Sequence, residues 1–287
     1  MVKIIDGCFE ATSHTSIICD FSPPRSGDPA SLEQSQIDVD FISVAYNPGK
    51  AVRANSAMLA AAIKHKGRES VFTLATRDMN KLAAQSQVLG AQILELQNVV
   101  VVQGDPFGKN DRPLVKPVND YQPTELISSI SNMNKGQDFR GRELETPTDF
   151  CIGAVVDLGN PIEDEVKLAV RKIRAGAEFL ITQPIFNVDH VARYRESYGY
   201  HADRAGTHPV YFGLQILEKD GVLFSSVPGS LKEELEKGRS GVEIALELYE
   251  KFKAARLNNI YLMPPIKRGG ERNYAAAKDF LQKADRI

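Results

Sequence analysis

The sequence has little cysteine, and what it has is placed poorly for cross-linking. Cys8, Cys19 and Cys151 are odd in number and widely spaced, with no Cys-x-x-Cys pair. That arithmetic argues against a disulfide framework and against a structural zinc site, and it fits a reducing cytoplasm. The histidines (His14, His65, His190, His201 and His208) form no His-x-x-x-His or similar spacing, so no metal site is expected. No apolar run reaches the roughly 18 residues that a membrane helix needs. Met1–Glu10 lacks the basic-then-apolar order of a signal peptide. A net charge of −2 gives no electrostatic ground for nucleic acid or an anionic membrane as partner. Also missing are a Gly-x-Gly-x-x-Gly or phosphate loop and any Ser/His/Asp or Cys/His arrangement, which leaves covalent nucleophilic catalysis without support.

What is present is a chain of 287 residues, 43% hydrophobic and 25% charged, long enough to bury a substantial core. Short β-rich runs alternate with longer helical ones. The runs Ser16–Phe21, Phe41–Tyr46, Ser70–Thr76, Val99–Gly104, Phe150–Val156, Phe179–Gln183, Val210–Ile216 and Asn259–Met263 are nearly continuous in Val, Ile, Leu, Phe and Ala. Strands covered on both faces of a parallel sheet read this way. Helices are predicted at Ala54–Lys66, Met79–Leu96, Thr124–Met133, Ile162–Ala177, Gly241–Leu257 and Arg272–Ala284, with a short polar one at Ser31–Ile37. Within Met79–Leu96, the residues Leu82, Leu89, Ile93 and Leu96 share one face, with Lys81 and Gln85 outside it. About eight strand–helix units without a linker predict an α/β fold, a single (β/α)8 TIM barrel over residues 1–287. A doubly wound open sheet is the alternative, since periodicity does not show closure. The connection from Pro106 to Asp149 is unusually long and carries Lys109, Arg112 and Lys116, which suits a wall of a ligand site.

In such a barrel the reactive groups gather at the C-terminal ends of the strands. The polar residues there are Asp20, Asn47, Thr76, Arg77, Gln103, Asp105, Asp157, Asn160, Gln183 and Gln215. Several interrupt apolar runs, which is costly unless they meet a ligand or a partner. For Asp20 the plain structural alternative is a turn or a salt bridge to Arg25; for Asp105 it is a turn former; for Gln183 it is an amide satisfied by backbone. Two carboxylates and an amide around one mouth suit a ligand rich in hydrogen-bond donors, such as a pterin.

These segments carry a resemblance. Asp20–Phe21–Ser22–Pro23–Pro24–Arg25 resembles the Glu-Phe-Phe-Pro-Pro-Arg that closes the first strand of methylenetetrahydrofolate reductases. Asp40–Tyr46 is similar to their second strand, Gln103–Gly104–Asp105 to their fourth-strand Arg-Gly-Asp or Thr-Gly-Asp, and Ala175–Gln183 to their Ala-Gly-Ala…Ile-Thr-Gln. Tyr261–Leu262–Met263–Pro264–Pro265 resembles the eighth-strand ending of some members. The matches keep chain order over most of the sequence.

The resemblance implies a barrel enzyme of one-carbon metabolism in which NAD(P)H reduces bound FAD. The flavin then passes hydride to 5,10-methylenetetrahydrofolate, giving 5-methyltetrahydrofolate for methionine biosynthesis. By position Asp20 would be the acid that assists ring opening, and Asp105 a second catalytic and folate-contacting carboxylate. Gln183 and Gln215 would bind the folate. Lys172 would hold the flavin phosphate, with Gln103, Gly104, Thr73, Ala45 and Tyr121 completing the cofactor set. The partners expected are a folate-type small molecule, neither nucleic acid nor membrane, with a homo-oligomer left open. Several positions depart from the family: Asp20 stands for glutamate, Thr73 for a flavin-binding histidine, Ala45 for threonine and Gln103 for arginine. The departures keep two alternatives in play. One is a flavin-free NAD(P)H-dependent reductase of the same substrate. The other is a folate-binding partner subunit of a methyl-transfer system with little reductase activity.

Overall fold

Alternation along the first strand sets the plan of the molecule. In β1 (Ser16–Phe21), Ile18 and Asp20 turn into a barrel while Cys19 and Phe21 pack outward against helices. The computed structural model describes residues 2–8, 15–201, 208–223, 225–267 and 271–284. The other strands are β2 (Phe41–Val44), β3 (Ser70–Ala75), β4 (Asn98–Val102), β5 (Cys151–Val156), β6 (Phe179–Pro184), β7 (Val210–Gln215) and β8 (Asn259–Met263). Each pairs in parallel with the next, and β8 pairs with β1, so the sheet closes in sequence order. The predicted (β/α)8 barrel is the observed one, and the open-sheet alternative is excluded by the β1–β8 ladder.

Two apolar layers result. The inner one fills the barrel with Ile18, Phe41, Val71, Val100, Cys151, Phe179, Ile181 and Tyr211. Phe179 occupies so much of it that β5 carries Gly153 opposite, where a Cβ would stand 2.2 Å from the ring. The outer layer lies between the strands and the helices. These are α1 (Ile4–Cys8), α2 (Ser56–His65), α3 (Lys81–Ile93), α4 (Pro123–Met133), α5 (Ile162–Arg174), α6 (Asp189–His201), α7 (Gly229–Glu236), α8 (Gly241–Ala254) and α9 (Tyr274–Ala284). None of the described helices is long and apolar enough to cross a membrane.

Local sequence explains the helix ends. Asn55 and Asn80 accept hydrogen bonds from the first-turn amides of α2 and α3, and Ser240 with Glu243 forms a capping box on α8. On α5, Glu163, Asp164 and Glu165 lie in the first turn and Arg171, Lys172 and Arg174 in the last, matching the helix dipole. The short α1 seats Ile4 against the barrel floor, where the Ile4 amide donates to the Asn98 side chain at 2.9 Å.

Three expectations are corrected. On α3 the buried residues are Ala84, Gln85, Val88 and Ala91, while Leu82 and Ile93 are 65% and 82% exposed. Gln85 goes inward because its amide finds partners there. It donates to Ser129 Oγ at 2.8 Å and accepts from the Phe139 amide at 2.9 Å. Leu96 is buried as expected, but beyond the helix end. The segment predicted as a helix at Ser31–Ile37 is a 3-10 helix, Pro29–Ser35. Finally, the sequence predicts no helix at α1, α6 or α7: α1 has only five residues, and α6 and α7 are far more polar than α2 and α3, with no buried residue in α7.

Candidate functional site

The upper ends of β1 to β6 and β8 surround a cavity of about 820 Å³, lined by Asp20, Thr73, Asp105, Lys172, Gln183 and Tyr261 among others. Its position at the C-terminal face follows from the parallel barrel.

At its base, Asp20 is held from two sides. The Tyr261 hydroxyl donates to Oδ1 at 3.0 Å, and Arg272 Nη2 lies 2.5 Å from Oδ2. Both partners of the ion pair are nearly closed to solvent, with side-chain exposures of 3% for Arg272 and 7% for Asp20. Arg272 arrives from the segment after β8, where Ile266 and Arg272 form an isolated antiparallel bridge. The following residues lock onto β1: the Ser22 amide donates to the Tyr274 hydroxyl at 3.0 Å, and the Tyr274 ring stacks on Phe21 at 5.0 Å. Burial, then the Asp20 charge, pushes the Tyr261 phenol well above its ordinary range. The salt bridge weighed for Asp20 forms, with Arg272 rather than Arg25 as its partner.

The β2–β4 side is built around Arg77. Its Nε and Nη2 grip the Asp78 carboxylate at 2.6 and 2.7 Å, and Nη1 donates to the Asp105 carbonyl at 2.8 Å. Its guanidinium lies 4.4 Å above the Phe107 ring. Gly104, at φ +86°, lets the backbone turn here, where a Cβ would sit 3.2 Å from Arg77 Cβ. The result fixes the backbone of Asp105 while leaving its carboxylate exposed, with no hydrogen bond or ion pair among the described residues. Burial and the Asp78 carboxylate push the neighbouring Tyr46 phenol up to about 12.

On the β5–β6 side, Lys172 turns from α5 into the cavity wall and donates to the Val155 carbonyl at 2.5 Å. Burial lowers the pKa of its ammonium, with Glu165 opposing the shift and Arg171 adding to it. Glu165 is itself buried and accepts from the Asp157 amide at 2.9 Å and from Asn160 Nδ2 at 3.3 Å. Gln183 is half-buried in the wall, and its side-chain amide has no protein partner among the described residues.

The structure therefore brings Asp20, Asp105, Gln183, Lys172, Gln103, Gly104, Thr73 and Ala45 to one cavity. It does not bring Gln215 or Tyr121 there. Gln215 is 2% exposed and donates to the Val222 carbonyl at 2.9 Å. The Tyr121 hydroxyl bonds Ser129 Oγ at 2.8 Å beneath Lys81, as part of the Gln85 network. Sequence reasoning missed Arg272, Ser43 and Glu165 as site residues. Arg272 gave no usable signal, since nothing local ties it to Asp20.

A family model described as "Methylenetetrahydrofolate reductase" matches residues 8–238 of the chain. Among solved structures, the chain is similar to an uncharacterized protein from Clostridium thermocellum that binds two copies of 5-methyl-5,6,7,8-tetrahydrofolic acid. The two are 14% identical with a TM-score of 0.65, over 94% of this chain and 96% of that one. At that identity the likeness speaks for the barrel alone.

Proposed function

Since the chain belongs to the methylenetetrahydrofolate reductase family, we propose that it reduces 5,10-methylenetetrahydrofolate to 5-methyltetrahydrofolate with hydride from NAD(P)H, as a cytoplasmic enzyme. The observation that carries this reading is a pair of polar side chains, Asp105 and Gln183, that make no hydrogen bond or ion pair among the described residues and stand on the wall of the cavity that holds Asp20. The guanidine-like edge of a pterin offers paired donors to a carboxylate, and an amide can both donate and accept. The cavity lies toward the upper end of the roughly 300–1,000 Å³ typical of small-molecule sites, which suits a pterin and a nicotinamide lying together.

The reaction opens the imidazolidine ring. The bond from the one-carbon unit to N10 breaks, N10 takes a proton, and the N5 iminium carbon accepts hydride as NAD(P)H becomes NAD(P)+. Asp20 stands at the acid position. The Tyr261 hydroxyl bonded to it also lines the cavity, so that, once Asp20 is protonated, it can take that proton and hand its own to N10.

FAD, the carrier implied by the family resemblance, fits this donor set poorly. At the positions of its expected contacts stand Ala45, with no polar side-chain atom, Thr73 with one hydroxyl, and Gln103 without charge. Lys172 remains, and its ammonium, bonded once to the Val155 carbonyl, keeps donors for a nucleotide phosphate. Direct transfer from NAD(P)H is the route these residues favour. One observation favours a second reading, a folate-binding partner subunit with little reductase activity. Both Asp20 oxygens are already engaged, by Tyr261 and Arg272.

The test is the visible spectrum of the purified protein followed by NAD(P)H oxidation with and without methylenetetrahydrofolate. A colourless protein that oxidises NAD(P)H only with the folate present supports direct transfer. A retained flavin band that NAD(P)H bleaches and the folate restores would overturn the flavin-free route. Folate binding without oxidation would select the partner subunit.

A further inference from the structure

Three arginines, from the segments that follow β1, β2 and β8, neighbour one another on one side of the cavity, Arg272 at its base and Arg25 and Arg53 outside its lining. Arg53 lies between the 3-10 turn Pro48–Lys50 and α2, and its fork is fixed to backbone. Its Nη1 donates to the Pro23 carbonyl at 2.8 Å and its Nε to the Pro48 carbonyl at 3.3 Å. The same two loops are tied again by the Ala54 amide to the Pro24 carbonyl at 3.0 Å and the Ala45 amide to the Phe21 carbonyl at 2.9 Å. Pro48 belongs to the cavity wall, and so does Arg272. Arg25 follows Pro23 by two residues and is exposed.

The charges do not balance locally. Asp20 is taken by Arg272. Among the described residues, neither Arg25 nor Arg53 has a carboxylate within ion-pair distance. Burial, then the neighbouring Arg25 and Arg272 guanidiniums, lowers the pKa of Arg53. A half-buried cation held rigidly among like charges is unfavourable unless an anion completes the set. The unused part of the fork matches a carboxylate in two-point geometry.

We propose that Arg53 and Arg25 form an anion site on the rim of the cavity, which binds the carboxylate-bearing tail of a pterin ligand whose ring lies in the barrel mouth. The assignment rests on the folate reading given above. It is separate from the cations on the β5–β6 side, Arg171 and Lys172, which lie across the closed barrel and are left for nucleotide phosphate. A ligand's anionic tail supplies the charge that the protein withholds, so ordering of the tail and seating of the ring reinforce each other.

Calorimetric titration of the intact protein with tetrahydrofolate and with tetrahydropteroate, which lacks the glutamate, tests this. The wild type should bind the tailed ligand tighter by about tenfold or more, the scale of a charge-assisted hydrogen bond. Arg53→Gln and Arg25→Gln should abolish that preference while leaving the tail-less ligand and NAD(P)H unchanged. Arg53→Lys, which keeps the charge but not the fork, should fall between. Arg25 is exposed, so its variant reports even if the Arg53 variants fold poorly. Equal losses for both pterins, no preference in the wild type, or a loss confined to NAD(P)H would each overturn the site while the pterin reading stands. Failure of both pterins to bind the wild type would instead remove the folate reading itself, and this assignment with it.

Discussion

Arg272 and Asp20 form a buried ion pair, Nη2 to Oδ2 at 2.5 Å, that joins the start of α9 to the end of β1. Removing one member of such a pair leaves an uncompensated buried charge and typically costs about 3–5 kcal/mol. Asp20→Asn and Arg272→Gln should therefore each lower Tm markedly, and Asp20→Asn/Arg272→Met should regain much of the loss. Turnover should behave differently. It should drop by roughly 100- to 10,000-fold with Asp20→Asn, as for lost acid catalysis, and stay low in the double variant. Thermal melts beside steady-state rates separate the two effects; a double variant that regains turnover would make Asp20 a structural residue.

Gln183 bears on the ligand without such a structural debt. Its side-chain amide has no protein partner among the described residues, so Gln183→Ala should leave Tm nearly unchanged. Folate affinity should weaken about 3- to 10-fold, the scale of a neutral hydrogen bond, with NAD(P)H affinity intact. Fluorescence titration with each ligand reads both. The reverse pattern would place Gln183 on the nucleotide side.

Packing inside the barrel gives a prediction about stability alone. A Cβ on Gly153 would stand 2.2 Å from Phe179 Cζ. Gly153→Ala should cost about 1–3 kcal/mol, as overpacked cores do. Shrinking the ring in Gly153→Ala/Phe179→Leu should return part of it in a denaturant melt. Additive losses in the double variant would mean that the two sites do not share space.

A pH effect is expected on the surface. Hydrogen bonds from Lys251 and Arg239 hold the Glu247 carboxyl at about 2, below its ordinary value near 4.5. A depressed carboxylate stabilises the fold above the unfolded value, and the contribution is lost as pH falls through the folded one. The stability difference between wild type and Glu247→Gln should be full at neutral pH and vanish toward pH 2. Exposure and screening limit it to below about 1 kcal/mol, and about 1 M salt should shrink it further. Urea melts at several pH values would show the slope; a difference that grows on acidification would contradict it.

Eight apolar runs were enough to read the barrel, because buried parallel strands leave little ambiguity in composition. The face of α3 was not legible. Leu82 and Ile93 look like core residues, but the inward position at Gln85 is decided by Ser129 and the Phe139 amide, which are remote in sequence. The residues that line the cavity followed from strand ends, so Asp20, Asp105 and Gln183 could be named in advance. Their partners could not. Arg272 meets Asp20 only because closure of β8 onto β1 delivers the start of α9 to that point. Gln215 had the right strand position, yet the Val222 carbonyl claims its amide.

The floor of the barrel has a consequence for traffic. Among the described residues, the inner apolar layer with Ile4 against it fills the barrel below the cavity, which opens toward the C-terminal ends of the strands. On the reaction proposed above, two molecules would share that opening. Whichever lies deeper must enter first and leave last, and an excess of the other holds it in.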